Sequence, residues 1–348
     1  MTEIRVLSKS MVKQVLSPKA TLATVEKVYR SKALEHSTLW PMIFYEFEPG
    51  VADMDIKSGY MQELSIYGLK LVSWYGENPQ RNLPALYGTT LLFDSETGRP
   101  IGLVDAAYIT GMRTGAAGAI GSKWLARKNA ATLLMAGTGH LALFQILSHL
   151  LAIPTLKNIL ISSPRGLDSA EKLAASCREK LTALVKAGPL LAEFPEIEQI
   201  LQTIDISAAP LEQAVPLSDI IVTATPAREP FIKAEWVTPG THISCMGADM
   251  SGKQEIAGSL FAKARVFVDD LEQAVNVGEA EIPLRDGIIQ KAQLQEIGQL
   301  LLGQVAGRQT EAEITIFDST GIALQDLAVT KQLLDLAAAE KIGQIVEL

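Results

Sequence analysis

Four groups of residues have the types and spacing to do chemistry. The first is Gly137-Thr138-Gly139-His140-Leu141-Ala142, a G-x-G-x-x-A pattern between an apolar run, 131–136, and apolar residues at helical spacing from Leu141. Glycines there let backbone approach a phosphate while the helix N-terminus turns unpaired N–H groups toward it, which suits a dinucleotide pyrophosphate. An ordinary strand-to-helix turn is the structural alternative. The second group, Ser162-Ser163-Pro164-Arg165, stands where a dinucleotide site usually has a ribose-binding carboxylate. A guanidinium beside hydroxyls suits a 2′-phosphate, so NADP(H) is favoured over NAD(H), with a solvated loop arginine as the other reading. The third group lies after two later apolar runs: Thr223-Ala224-Thr225, small enough for a dinucleotide to cross, and Met246-Gly247-Ala248-Asp249. Asp249 could carry a proton to or from a substrate, or cap a following helix. The fourth is a pair of cations, Lys70 and Arg113, on otherwise apolar or small-residue segments. Buried cations require anions, and either a substrate carboxylate or an internal salt bridge would serve.

These residues need elements to position them. From residue 131 onward short buried-type strands at 131–136, 158–163, 203–207, 219–225, 242–247 and 265–269 alternate with helical spacers, the pattern of a doubly wound parallel sheet of six strands. The spacer 167–202 is long enough for an additional helix. Upstream, residues 1–35 read as helical, and 42–47, 68–75 and 87–94 as strands of an antiparallel or mixed sheet. A helix is predicted from an N-cap at Thr110 to about Ala126. Its glycines 111, 115, 118 and 121 mark a face approached closely by another backbone or by a ligand. From Leu294 the spacing predicts an amphipathic helix, then a run at 313–318 and a helix from Ala323 to about Glu340. The fold class is therefore α/β: a Rossmann domain at 126–311, and an α+β substrate-binding and dimerisation domain at 1–125 and 312–348, with a cleft between them.

Composition narrows the function further. With 31 basic and 39 acidic residues the net charge is −8, which disfavours unspecific nucleic-acid or anionic-membrane binding. Neither a signal segment nor an 18-residue uncharged apolar run is present, so a cytoplasmic protein is expected. Two cysteines and four histidines, all dispersed, fit no metal or redox spacing.

Beyond these local patterns, several blocks resemble the ornithine cyclodeaminase and mu-crystallin family, and within it archaeal-type alanine dehydrogenases. They are GLKLVSW (68–74), GENPQRNLPALYG (76–88), DAAYITGMRTGAAGAIGSKWLARKNA (105–130), AEWVTPGTHISCMGADMSGKQE (234–255), VFVDDLEQA (266–274) and EITIFDSTGIALQD (313–326). The resemblance implies a homodimer joined through the substrate-domain sheets, Lys70 and Arg113 on a substrate carboxylate, and Asp249 as general acid/base. It adds Thr114, beside Arg113, and the loop Ser319-Thr320-Gly321 to the cofactor side, and Lys57 as a further substrate contact where relatives have arginine. Three residues or stretches depart from the family pattern: His140 replaces a glutamine, Met42 replaces a basic residue, and DIKSGYM (55–61) replaces a small-residue and Met-Pro stretch. The implied activity is NAD(P)H-dependent oxidoreduction at the C–N bond of a small 2-amino acid or its imine or keto counterpart. The alternatives are an ornithine cyclodeaminase-type ammonia lyase that recycles its cofactor and, with less support, a non-catalytic NADPH-binding crystallin-like protein.

Overall fold

In the computed structural model, which describes residues 3–348, the chain forms two compact units. The first comprises the chain through Arg113, residues 187–189 and Ile322–Leu348; the second comprises Thr114–Lys186 and Leu190–Gly321.

The first unit is built on strands β1 (Glu3–Leu7), β2 (Ser37–Leu39), β3 (Ile43–Glu48), β4 (Ala52–Met61), β5 (Ile66–Tyr75), β6 (Leu86–Asp94) and β7 (Pro100–Asp105). A C-terminal strand, Gln344–Glu347, joins the edge beside β1, and β3 pairs with β4 off the main path. All pairings are antiparallel except β1 with β7. The N-terminal segment thus opens with a strand where the spacing predicted only helix; helices Lys9–Val15 and Pro18–Ala33 follow. Strands β4 and β7 were also not legible. In β4 charged Asp53, Asp55 and Lys57 alternate with Met54 and Ile56, but the buried member is Lys57, so the polar positions do not mark the solvent face.

Alternation does set the inner face of this sheet. Lys57 of β4, Lys70 of β5 and Thr90 of β6 are register partners in one row, and all three are buried. Helix Ala323–Ala339, buried over most of its length, belongs to the same unit. A Cβ on Gly59 would lie 2.7 Å from the Thr38 carbonyl oxygen and 3.1 Å from the Leu324 side chain, which explains the glycine in β4.

In the second unit, β8 (Thr132–Ala136), β9 (Asn158–Ser162), β10 (Asp205–Ala208), β11 (Ile220–Thr223), β12 (His242–Cys245), β13 (Ala264–Val268), β14 (Leu294–Glu296) and β15 (Ile314–Asp318) form one parallel sheet. Its order is β10-β9-β8-β11-β12-β15-β13-β14. The predicted six strands keep the doubly wound order, but β15 inserts between the fifth and sixth and β14 adds the far edge. The expected helix at Leu294 is therefore a three-residue strand followed by a short helix, Ile297–Leu301. Because β15 pairs with β12 and β13, residues 312–321 fall with the parallel sheet, and the division comes at Gly321 instead of residue 311. The long spacer holds three helices, Leu167–Lys186, Leu190–Glu193 and Ile197–Thr203.

Helix Ala107–Leu125 starts three residues before the predicted cap at Thr110, and the unit boundary falls within it, after Arg113 instead of residue 125. In the second unit its glycines mark close packing. A Cβ on Gly115 would strike the Phe144 carbonyl, one on Gly118 the Gln145 side chain, and one on Gly121 the Phe317 ring. Ligand contact is not needed to explain them.

Candidate functional site

In the first unit the cations meet an internal anion. Lys70 Nζ donates to Asp326 Oδ2 at 3.0 Å, Arg113 Nε donates to Asp326 Oδ1 at 3.3 Å, and Arg113 Nη1 donates to Gln325 Oε1 at 3.1 Å. Gln325 in turn donates from Nε2 to the Tyr29 hydroxyl at 2.7 Å. Asp326 and Gln325 are fully buried on helix Ala323–Ala339, and sequence reasoning missed both because a polar pair on a tail helix looks like a solvated face. The internal salt bridge is thus present. Three buried cations, Lys57, Lys70 and Arg113, gather around buried Asp326, with half-buried Asp55 also near. Burial lowers the Lys70 pKa to about 8; Asp326 opposes the fall and Arg113 and Lys57 add to it. Burial raises the Asp326 carboxyl, but Arg113 and Lys70 outweigh that and hold it below its ordinary value. Met42 is half-buried just before β3.

In the second unit the predicted cofactor residues collect at the carboxyl ends of the strands. Gly137 follows β8 with φ +136°, a conformation open to glycine, and a Cβ there would lie 2.7 Å from the Ala224 carbonyl oxygen. Gly139, exposed in the same turn, is different. A Cβ on it would meet nothing within 4 Å, so neither fold nor packing demands glycine there. Helix Ala142–Ala152 follows Leu141, and Thr138 and His140 complete the turn. Arg165, exposed beyond β9, donates from Nη2 to Thr138 Oγ1 at 3.3 Å, and its backbone N–H reaches Ser163 Oγ at 3.2 Å. The guanidinium therefore sits beside the glycine turn. Thr114 is buried and its carbonyl accepts from Gln145 Nε2 at 2.9 Å.

The remaining predicted cofactor residues follow β11, β12 and β15. Thr223 ends β11, and Ala224 and Thr225 continue from it; Met246 and Gly247 follow β12. Ser319, Thr320 and Gly321 follow β15 and are tied to Asp269: Ser319 Oγ donates at 2.9 Å, Thr320 Oγ1 at 3.0 Å and the Gly321 N–H at 2.8 Å. Asp249 has about half its side chain exposed and accepts from Lys253 Nζ at 2.6 Å. Its alternative as a helix cap fails, since the next helical turn begins only at Gly258, capped by Ala257.

The whole chain fits one known family. The model of the ornithine cyclodeaminase/mu-crystallin family matches residues 2–341. The chain belongs to this family. An alanine dehydrogenase of Archaeoglobus fulgidus is 36% identical over 346 residues, 99% of this chain and 98% of that protein. Among solved structures, an archaeal alanine dehydrogenase dimer with bound NAD is similar at 33% identity and a TM-score of 0.88, covering 100% of both chains. The Thermococcus litoralis Δ1-pyrroline-2-carboxylate reductase, in complex with NADH and L-proline, is similar at 27% identity and a TM-score of 0.86, covering 98% of this chain and 99% of that one. Among the described residues no helix is long and apolar enough to cross a membrane, and no group of His, Cys, Asp and Glu is placed to hold a metal ion.

Proposed function

We propose that this member of the family is a nicotinamide-dinucleotide-dependent oxidoreductase acting on the C–N bond of a small 2-amino acid or its imine or keto-acid counterpart. The observation that carries the reading is the cluster of three buried cations, Lys57, Lys70 and Arg113, in the first unit, a setting that suits a substrate carboxylate. Arg113 would present its fork to that carboxylate and Lys70 a point charge, while Asp326 and Gln325 hold Arg113 in place. Lys57 contributes charge from the next strand. The residues of the second unit fit a dinucleotide: Gly137 and Gly139 admit the pyrophosphate, and Thr223–Thr225, Met246–Gly247 and Ser319–Gly321 line the strand ends toward the nicotinamide half. Bound there, the cofactor would supply or accept a hydride. Asp249 would transfer the proton, since it follows the fifth strand of the doubly wound order and remains accessible.

Arg165 supports NADP(H) over NAD(H), because its guanidinium lies at the glycine turn where a 2′-phosphate would fall. The related alanine dehydrogenase was solved with NAD and the reductase with NADH, so direct comparison of both cofactors is the test of this point. The same archaeal relative is a dimer, and the apolar outer face of the first unit's sheet supports a homodimer here.

A panel of 2-oxo acids with ammonia, cyclic imines and 2,ω-diamino acids separates the activities. Net oxidation of NADPH followed by absorbance identifies a reductase. Ammonia release without net cofactor change identifies a cyclodeaminase and overturns the oxidoreductase reading.

A further inference from the structure

Glu255 is fully buried, and neither substrate nor cofactor binding as described above uses it. Its carboxylate is the point at which two strand ends are joined. Oε1 accepts from the Thr225 N–H at 2.6 Å and from Thr225 Oγ1 at 2.8 Å; Oε2 accepts from Thr223 Oγ1 at 2.6 Å and from the Gly247 N–H at 3.0 Å. Thr223 and Thr225 belong to the end of β11 and Gly247 to the end of β12, so one side chain sets the spacing of both loops. Space at this junction is minimal. A Cβ on Gly247 would lie 2.6 Å from Glu255 Oε1, and one on Gly137 would lie 2.7 Å from the Ala224 carbonyl oxygen. The Ala224–Thr225 segment is therefore held between two glycines, one after β8 and one after β12, with Glu255 as the clasp.

We propose that Glu255 is a positioning residue for the dinucleotide: it fixes the loops after β11 and β12 at the separation at which they receive the cofactor. The inference rests on the dinucleotide reading above. Four donors converge on the side chain, and a carboxylate is the side chain that accepts from all of them, whereas a glutamine would turn an NH₂ toward one set of donors. Burial is costly for the charged group and raises its pKa above its ordinary value, while Thr223, Thr225 and Gly247 act against the rise. The backbone around it is anchored in turn, because the N–H groups of Glu255 and Ile256 both donate to Glu279 Oε1 at 2.7 Å. A clasp this heavily bonded, at the ends of strands that face the cofactor, acts on binding through loop position.

Glu255→Gln, which keeps the size of the side chain, tests the assignment. Expected are a dissociation constant for NADH and NADPH raised alike, by about tenfold or more, and an unchanged KM for the carboxylate substrate. In the protein without added cofactor, faster amide exchange is expected at both Thr225 and Gly247. A variant with wild-type affinity, or with unchanged exchange at those two amides, overturns the proposal while leaving the dinucleotide reading intact; failure of the wild type to bind either dinucleotide overturns both. Should Glu255→Gln not fold, Thr223→Val removes one donor at constant volume and is expected to weaken both dinucleotides about threefold. Unchanged affinity in that variant is equally decisive against the proposal.

Discussion

At the scale of single residues, Lys70 gives the sharpest pH prediction. Burial lowers its pKa from 10.5 to about 8, so above about pH 8 the free enzyme loses the ammonium proposed to hold the substrate carboxylate, and kcat/KM should fall. Stability should move the other way. The unfolded chain binds this proton up to its ordinary pKa and the folded chain releases it earlier, so the cost of burying charged Lys70 is relieved as pH rises from about 8 toward 10.5. An activity that declines while the protein grows no less stable separates lost binding from unfolding. Lys70→Arg, charged throughout this range, should abolish the decline, and a decline that persists would assign it to another group. Asp249 poses a choice between a proton carrier and a surface ion pair with Lys253, whose typical worth is only about 0–1 kcal/mol. Asp249→Asn should fold, bind NADPH and lose about a hundredfold or more in kcat; near-full kcat would reduce the residue to its ion pair.

At the scale of elements, the turn after β8 makes separable predictions for its two glycines. Gly137→Ala must strain a backbone at φ +136° and push against the Ala224 carbonyl, so it should lower the melting temperature measurably. Gly139→Ala meets nothing in the protein and should leave the melting temperature unchanged while weakening the dinucleotide, as calorimetric titration would show. Arg165→Ala, one charge-assisted phosphate contact, should weaken NADPH about tenfold or more and spare NADH. The strand, turn and helix that carry these residues were legible because their signals are local. The carboxyl ends of β11 and β12 were also legible, β11 because it reads as an apolar run and β12 because the turn residues Pro239-Gly240 and Gly247 bracket it. Strand β4 was not, because its inner face carries Lys57, and a buried cation looks the same as an exposed one in a sequence. Asp326 and Glu255 escaped for the same reason. The place of β15 could not be read either: a parallel strand finds its neighbours across long stretches of chain, and nothing local in 314–318 records that β12 and β13 flank it.

At the scale of the whole molecule, the sheet of the first unit raises the question of what covers its outer face. An antiparallel sheet with one solvated side alternates apolar-in with polar-out, and the inner row of Lys57, Lys70 and Thr90 inverts that pattern. On the opposite face, Leu69 of β5 pairs with Leu91 of β6, which pairs with Leu103 of β7, and Leu71 and Tyr87 extend the apolar surface. Leu71 and Leu103 each retain 37% exposure and Tyr87 48%. Contiguous apolar surface of this kind is the usual mark of a protein–protein contact, and a two-fold contact between copies would place like against like. Light scattering behind a sizing column should therefore give twice the 37.5 kDa chain mass. Leu71→Asp combined with Leu103→Asp sets charges into the middle of that face, where a dimer would bury them unpaired and an isolated chain would leave them in water. Such surface changes cost a folded chain about 0.5 kcal/mol or less each, so the double variant should keep its circular dichroism spectrum and run at the mass of one chain. A double variant that stays dimeric would place the interface elsewhere. A wild type that is itself monomeric would remove the dimer from the proposed function and leave the apolar face to be explained by another partner.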